Sequence, residues 1–261
     1  MKKNTILMIL ALGMMSGGFY NDVFAADATE ITSLQTKADE GDVRAQLELG
    51  YNYYSGIGVE QDYAEAFKWF KKAAEQGDAT AQLNLGFMYK NGVGVDPNPT
   101  EAFKWYRKAA EQGDAKAQFN LGVMYENGEG VDQNPTEAFK WYKKAAEQGN
   151  PTAQLNLGIM YDDGEGVDPN PTEAIKWYKK AAEQGNVDAQ FNLGVMYYNG
   201  EGVDKNSAEA FKWFKKAAKQ GNAKAQDALE RLKKRRLDER RNSTNGVNID
   251  YWYWKIGVVY E

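Results

Sequence analysis

Apolar residues recur along most of the chain at spacings of three and four positions, the pattern of helices that bury one face. In a representative stretch, the first apolar stripe comprises Ala81, Leu85, Met88 and Tyr89. A glycine-containing loop at 91–95 follows, and the second stripe comprises Ala102, Trp105, Ala109 and Ala110. The pattern predicts pairs of helices joined by short loops. One pair cannot bury both of its stripes alone, so the pairs are expected to stack.

The helix pair is repeated with a period of 36 residues. The tryptophans that mark the second helix of each repeat are Trp69, Trp105, Trp141, Trp177 and Trp213. Five full repeats begin at Ala45, Ala81, Ala117, Ala153 and Ala189, and a partial sixth begins at Ala225. Such an unbroken period is typical of solenoids.

Residues that start and stop helices agree with this division. Asp78 is placed to cap the first helix of the second repeat. Asn98 is followed by Pro99, and Glu101 lies three residues after Asn98, which is close to a capping box. Gly86 lies inside the first helix, where glycine costs about 1 kcal/mol relative to alanine. We therefore expect a close approach of the neighbouring helix at Gly86.

The recurring pattern AQxNLGxMYxxGxGV…EAFKWYKKAAEQG resembles the SEL-one-like repeat, a relative of the tetratricopeptide repeat, over residues 33–236. The resemblance implies an all-α fold, a right-handed α/α superhelical solenoid of 36-residue helix-turn-helix repeats. It also implies that the first helices line a concave groove. An adaptor or scaffold role in protein complexes, often in the bacterial envelope, is the function that the resemblance implies.

The ends of the chain depart from the repeat. Lys2 and Lys3 precede a short apolar run, and small residues precede Ala26, which predicts a secretory signal peptide cleaved before Ala26. The predicted organisation is a signal peptide at 1–25, an N-terminal capping segment at 26–44, five repeats with a capping helix at 45–236, and a basic then aromatic tail at 237–261. The mature protein is therefore expected in a bacterial periplasm or outside the cell, without an integral membrane segment.

Composition excludes most catalytic chemistry. The chain contains no histidine and no cysteine, and no serine is followed by lysine three residues later. These absences exclude His-based nucleophile activation, thiolate chemistry and a Ser-x-x-Lys site. We therefore expect no enzyme, cofactor or metal site. Cysteine-rich relatives linked to β-lactam binding or hydrolysis provide the enzymatic alternative, and a nitrocefin assay would distinguish it.

Other features have simple structural interpretations. The Trp105-Tyr106 pair and its equivalents favour packing between repeats over a ligand platform, because every repeat has them. The loop glycines favour turn geometry over phosphate binding. The loop acids near Asp162 favour solvation over calcium binding, since their spacing is not that of an EF-hand. The net charge of −5 argues against nucleic acid as a general partner.

The candidate site is a ridge on the first helices that would face the groove. Its members are Asn84, Phe87, Asn91, Asn120, Val123, Asn127, Asn156, Ile159, Asp163, Asn192, Val195 and Asn199. The asparagines could bond the backbone of an extended peptide while the varying apolar positions select its side chains. Alternatively, Asn84 and its equivalents bond neighbouring repeats. Both interpretations remain open from the sequence, and the partner is expected to be a peptide or protein, with a host-interaction factor as a further alternative.

The C-terminal residues carry two further hypotheses. The segment from Arg231 to Arg241 is basic, which is typical either of a polar end-cap helix or of peripheral contact with anionic lipid. The aromatic stretch Tyr251–Trp254 has strand propensity. It is expected to cover the last repeat, or to pair with a strand of a partner.

Overall fold

The computed structural model describes residues 28–243, in which the chain forms helices and no strands. The helices are α1 (Ala28–Asp39), α2 (Val43–Ser55), α3 (Tyr63–Glu75), α4 (Ala79–Asn91), α5 (Pro99–Glu111), α6 (Ala115–Asn127), α7 (Pro135–Glu147), α8 (Pro151–Asp163), α9 (Pro171–Glu183), α10 (Val187–Asn199), α11 (Ser207–Lys219) and α12 (Ala223–Ser243). Repeats R1 to R5 are the successive pairs from α2–α3 to α10–α11. The prediction of an all-α repeat fold is confirmed.

The predicted segment boundaries can be compared with the helices within residues 28–243. Helix α2 of R1 begins at Val43, two positions before the residue 45 suggested by the repeat. Helix α12 continues to Ser243, past the boundary at 236. The predicted signal peptide at 1–25 and the aromatic stretch Tyr251–Trp254 lie outside the described residues.

The expected residues cap the helices. The Asp78 side chain accepts a hydrogen bond from the backbone N–H of Ala81 at 2.7 Å, and Asn98 accepts from the N–H of Glu101 at 3.1 Å. The reciprocal half of the capping box is not formed. The N–H of Asn98 donates to the carbonyl of Tyr89, and the Glu101 carboxylate accepts from the Lys104 ammonium instead.

The glycine inside each first helix lies against an aromatic ring of the second helix. A Cβ added to Gly122 would lie 2.6 Å from Cδ1 of Tyr142, a side chain with no solvent exposure. The equivalent pairs are Gly50–Phe70, Gly86–Tyr106, Gly158–Tyr178 and Gly194–Phe214. The expected close approach is confirmed, and its cause is the ring of the paired helix.

Successive repeats pack through tryptophan and alanine. Trp105 of α5 packs with Leu85 and with three alanines of α3 and α4, which are Ala73, Ala74 and Ala81. The Lys108 ammonium lies 4.0 Å from the centre of the indole ring. Trp105 therefore contacts α4 of its own repeat and α3 of the preceding repeat, so its role in the core is packing both within and between repeats.

The loop inside each repeat also contacts the preceding repeat. Gly128 ends α6 with a left-handed φ of 71°, and its N–H donates to the carbonyl of Met124. Two residues later, Gly130 has a φ of 70°, and a Cβ there would overlap the backbone carbonyl of Pro99 at the start of α5. Glycine is required at Gly130 because two main chains meet there. The interpretation of these glycines as turn residues is therefore correct.

A hydrogen-bonded pair of glutamines, one buried and one exposed, joins the helices of each repeat. Gln118 of α6 is 4% exposed, and its amide nitrogen donates to the carbonyl of Ala110 in the preceding repeat at 3.1 Å. Its oxygen accepts from the amide of Gln148, at 2.8 Å, and Gln148 also donates to the carbonyl of Gly113. Corresponding glutamine pairs are Gln46–Gln76, Gln82–Gln112, Gln154–Gln184 and Gln190–Gln220. No role of these glutamines was predicted from the sequence.

The described residues form two compact parts. One contains residues 28–153 with Glu165–Val167, and therefore R1 to R3. The other contains Gln154–Gly164 and residues 168–243, and therefore most of R4, all of R5 and α12. In the second part, Tyr178, Leu193, Met196 and Trp213 belong to one buried cluster, and the last repeat is closed by α12.

Candidate functional site

The twelve predicted ridge residues are here called the first-helix face, and they lie on α4, α6, α8 and α10. By equivalent position in the repeat they fall into three sets, which are here called the inner asparagine column, the apolar column and the outer polar column. Asn84 is buried, whereas the other inner asparagines and all four apolar residues are partly exposed. The outer column is mostly exposed. A partner can therefore reach eleven of the twelve residues, but not Asn84.

Two inner asparagines bond a tyrosine of the preceding repeat. The Asn84 amide donates to the hydroxyl of Tyr51 at 2.8 Å, and burial raises the pKa of Tyr51 to about 12. In the second part of the chain, the Asn192 side chain bonds the hydroxyl of Tyr178. For these two positions the structure shows the bond between neighbouring repeats that was the alternative to peptide binding.

Replacing Asn84 by leucine is expected to lower the free energy of unfolding by about 1 kcal/mol. The Tyr51 hydroxyl would lose its partner, but the change also removes the buried Oδ1 of Asn84, which has no partner among the described residues. The matched control is Asn91→Ala, since Asn91 is exposed and donates only to the carbonyl of Phe87 in its own helix. Urea denaturation of both variants measures the difference. Equal midpoints would contradict a structural role for Asn84.

Two residues of the outer column orient loop carboxylates. The amide of Asn127 donates to Glu129 at 3.3 Å, and that of Asn199 donates to Glu201 at 3.0 Å. Each contact joins the end of a first helix to the loop that follows it. Asparagine at this position therefore holds a negative charge beside the apolar column.

The apolar column is half-buried because it also supports the core. Ile159 packs against the cluster that contains Leu155 and Tyr178, and Val195 packs against the cluster around Phe214. Along each first helix, the apolar residue lies three positions after the inner asparagine and four positions before the outer polar residue. An apolar strip bordered by hydrogen-bonding groups is typical of surfaces that bind extended peptides.

A cavity of about 240 Å³ lies in the second part of the chain, between R4 and R5. Four residues of the first-helix face line it, namely Ile159, Asp163, Asn192 and Val195. The remaining lining residues are Asp162, Tyr178, Met196 and Glu201. The structure therefore brings four of the predicted residues together, and it adds the carboxylates of Asp162 and Glu201 and the phenol of Tyr178 to them. These eight residues are here called the acidic cavity.

The charges of the acidic cavity are alike. Burial raises the pKa of Asp162, and the neighbouring Asp163 and Glu201 raise it further, while a hydrogen bond from the Tyr178 hydroxyl opposes the shift. Burial is also the main cause of the raised pKa of Tyr178, followed by Asp162 and Asp163. The cavity thus contains a neutral phenol beside carboxylates for which the protein supplies no cation among the lining residues.

From the sequence, Asp162 was interpreted as a solvated loop acid and Tyr178, an equivalent of Tyr106, as a packing residue, while Glu201 was not predicted as a site residue. The signal that could have identified Asp162 is the difference between equivalent positions of the repeats. The position of Asp162 is lysine in R2, glutamate in R3 and tyrosine in R5, so its charge changes where the framework residues do not. Within residues 28–243, no group of three or more acidic side chains has a geometry that could hold a metal ion.

Helix α12 contains the described part of the basic segment. Its Leu229 and Leu232 pack against the Phe214 cluster of R5. On its exposed side, Arg231 pairs with Asp227 at 2.9 Å and Lys233 pairs with Glu230 at 3.1 Å. These contacts support the end-cap interpretation, and lipid contact through Arg231 to Arg241 stays a prediction. In the part of the chain that the structure describes, no helix has the length and apolar character of a membrane span.

Comparisons with known proteins agree with the repeat architecture. The family model described as Sel1 repeat matches residues 43–78, 79–114, 115–150, 151–186 and 187–222. The crystal structure of a Sel1 repeat protein from Oxalobacter formigenes is 38% identical, with a TM-score of 0.71 and coverage of 86% of both chains. The crystal structure of c5321, a protective antigen of uropathogenic Escherichia coli, is 37% identical, with a TM-score of 0.68, and covers 79% of this chain and 52% of that one.

A curated relative matches over a shorter stretch. The secretory immunoglobulin A-binding protein EsiB of Escherichia coli O6:H1 (strain CFT073) is 41% identical over 71 residues. These residues are 27% of this chain and 14% of EsiB. The chain therefore spans only a small part of the length of this relative.

Proposed function

Because the chain belongs to the Sel1 repeat family, whose members are generally protein-interaction scaffolds, we propose that it is an exported scaffold that binds a peptide or protein on its first-helix face. The observation that carries the proposal is the apolar column of Phe87, Val123, Ile159 and Val195, which stays partly exposed between two polar columns. Their exposed parts are available to a partner, while the buried parts pack against the core.

The asparagine column and the apolar column have different roles in the proposed binding. Half-buried amides at Asn120 and Asn156 offer donors and acceptors to the main chain of an extended peptide. The apolar residues differ in size from repeat to repeat, so each selects a different side chain of the partner. Because the helix pairs are packed in advance, little conformational entropy is lost by the scaffold on binding.

Export is part of the same proposal. The N-terminal lysines, the apolar run and the small residues before Ala26 support a cleaved signal peptide, with the mature protein in the periplasm or outside the cell. The family is mainly composed of non-enzymatic scaffolds, which agrees with the lack of histidine and cysteine. No catalytic step is therefore proposed.

We expect selection from a displayed library of random twelve-residue peptides to yield ligands of the first-helix face. The double variants Asn120→Ala/Val123→Ser and Asn156→Ala/Ile159→Ser should each weaken the selected peptides about tenfold, which corresponds to about 1.4 kcal/mol. The reason is that each change removes one amide and part of one apolar contact. Fluorescence anisotropy of labelled peptides measures the affinities.

The matched control is Lys143→Ala/Lys179→Ala, which changes exposed residues on second helices. This variant should keep the wild-type affinity within about twofold, or about 0.4 kcal/mol. Peptides that bind all three variants as tightly as the wild type would show that the first-helix face is not the binding surface.

Similarity to EsiB and to the c5321 antigen favours a second candidate, a host-interaction factor. EsiB is a secretory immunoglobulin A-binding protein, and c5321 is a protective antigen. In this alternative, the same face would bind a host protein outside the bacterium. Fractionation between periplasm and culture medium distinguishes it, because a host-interaction factor must leave the periplasm or reach the cell surface.

A further inference from the structure

The acidic cavity differs from its counterpart in the first part of the chain at three positions. Counterparts lie 72 residues earlier in the sequence, so Ile159, Asp162 and Asp163 correspond to Phe87, Lys90 and Asn91. Tyr178, Asn192, Val195, Met196 and Glu201 correspond to Tyr106, Asn120, Val123, Met124 and Glu129. The framework is therefore the same, and the differences concern size and charge only.

At the counterpart, the chain supplies its own cation. The Lys90 ammonium lies 2.7 Å from the Glu129 carboxylate, and both side chains are about one third exposed. The charges of Lys90, Asn91 and Glu129 sum to zero. At the acidic cavity, Asp162, Asp163 and Glu201 sum to −3. The position that supplies the Lys90 ammonium between R2 and R3 is thus occupied by the carboxylate of Asp162 between R4 and R5.

Room for a ligand accompanies the change of charge. Isoleucine at position 159 is smaller than phenylalanine at position 87, and the cavity of about 240 Å³ has Ile159, Val195 and Met196 among its lining residues. Pockets for drug-sized ligands are larger, about 300–1,000 Å³. One long side chain with an apolar stem and a cationic head has the size and the chemistry of this space.

We propose that the acidic cavity, as part of the binding face proposed above, takes up the side chain of an arginine or lysine presented by the peptide partner. The stem packs against Ile159 and Val195, and the charged head lies between Asp162 and Glu201. The role of Asn199 is to hold Glu201 in place, through its 3.0 Å hydrogen bond. This inference rests on the scaffold function and specifies one side chain of its ligand.

The raised pKa of Asp162 is consistent with this assignment. Burial and two neighbouring carboxylates disfavour its ionised form in the free protein. A bound cation reverses the sign of the local field and favours ionisation. A residue that destabilises the free protein but attracts a ligand is common at functional sites, because structural ion pairs are usually completed within the chain.

The test uses the peptide acetyl-Ser-Gly-Arg-Gly-Ser-amide and its citrulline counterpart, which has nearly the same shape but no charge. Methyl NMR of the whole protein reports binding through Ile159, Val195 and Met196. We expect saturable shifts of these methyl groups with an affinity at least about tenfold higher for the arginine peptide. Equal affinity for the two peptides, or shifts spread over other repeats, would overturn the assignment.

Two variants provide matched evidence. Asp162→Lys introduces the residue of R2 and should form an internal pair with Glu201, so that arginine binding falls about tenfold or more. The midpoint of thermal unfolding should stay equal or rise, because like charges are replaced by an ion pair. The reciprocal variant Phe87→Ile/Lys90→Asp should create a second arginine site between R2 and R3. Unchanged arginine binding in Asp162→Lys, or no second site in a folded reciprocal variant, contradicts the proposal.

The outcomes separate this inference from the scaffold function. One outcome is that the selected library peptides require Asn120 and Val123, contain no basic residue and bind Asp162→Lys normally. This outcome would overturn the cavity assignment and leave the scaffold function intact. Concentration-dependent dimers that Asp162→Lys abolishes would identify the basic helix α12 of a second copy as the occupant, and would likewise overturn the peptide assignment. Light scattering on a sizing column measures this.

Discussion

Replacing Gly130 by alanine is expected to lower the free energy of unfolding by about 3 kcal/mol or more, and to uncouple R2 from R3. A left-handed backbone costs a non-glycine residue roughly 1–2 kcal/mol. In addition, the new Cβ would overlap the carbonyl of Pro99, which belongs to the main chain of α5 and cannot rotate away. Overpacking of this kind typically costs a further ~1–3 kcal/mol. Urea denaturation followed by circular dichroism measures the loss.

The control for Gly130 lies in the same loop. Gly128 has a φ of 71°, close to the 70° of Gly130, but a Cβ there would meet its nearest neighbour, the nitrogen of Gln133, at an ordinary 3.4 Å. Gly128→Ala therefore isolates the conformational cost, about 1–2 kcal/mol. If the two variants lose the same stability, the contact between the loop of R3 and α5 does not contribute to stacking. A broadened transition in Gly130→Ala alone would show the loss of coupling between repeats.

Replacing Gln118 by leucine is expected to lower the free energy of unfolding by about 2–3 kcal/mol. The change replaces a buried polar side chain by an apolar one of similar size, and it removes the bonds to the carbonyl of Ala110 and to the amide of Gln148. Burying a polar group without its partner costs about 1–3 kcal/mol. Gln148 retains its bond to the carbonyl of Gly113, which limits the loss on that side. Differential scanning calorimetry and urea denaturation measure the effect.

Gln133→Ala is the matched control for Gln118. Gln133 is exposed, and its amide donates to the carbonyl of Glu126 at 2.8 Å, so its loss can be compensated by water. We expect a change within about 0.5 kcal/mol, as for most surface substitutions. A Gln118→Leu variant as stable as the wild type would mean that the glutamine pairs are incidental to the stack.

The repeat, the helix pairs and most caps could be predicted from the sequence because they depend on residues close together in the chain. Asp78 caps α4 through an N–H three residues away, and the apolar stripe of α5 follows from the period of the helix. The close approach at Gly86 was also predictable, because glycine is unfavourable inside a helix. The sequence did not identify the aromatic ring of Tyr106 as its partner.

The candidate site was predictable only in part. The first-helix face follows from helical periodicity, but the burial of Asn84 and its bond to Tyr51 depend on how R1 packs on R2. The acidic cavity was not predicted as a site. Its lining residues come from α8, α9, α10 and the loop after α10, so no short stretch of sequence contains its pattern.

The all-α class, the 36-residue period and the register of five repeats can be read from the sequence alone, because helical spacing and recurring residues mark them directly along the chain. The pairing of polar groups between helices, in contrast, depends on how the helices pack. The Gln118–Gln148 bond spans 30 positions, and the Lys90–Glu129 pair joins two repeats. Such contacts depend on the angle and distance between packed helices, which periodicity does not specify. The same packing places Asp162 in a cavity that has no lysine or arginine among its lining residues.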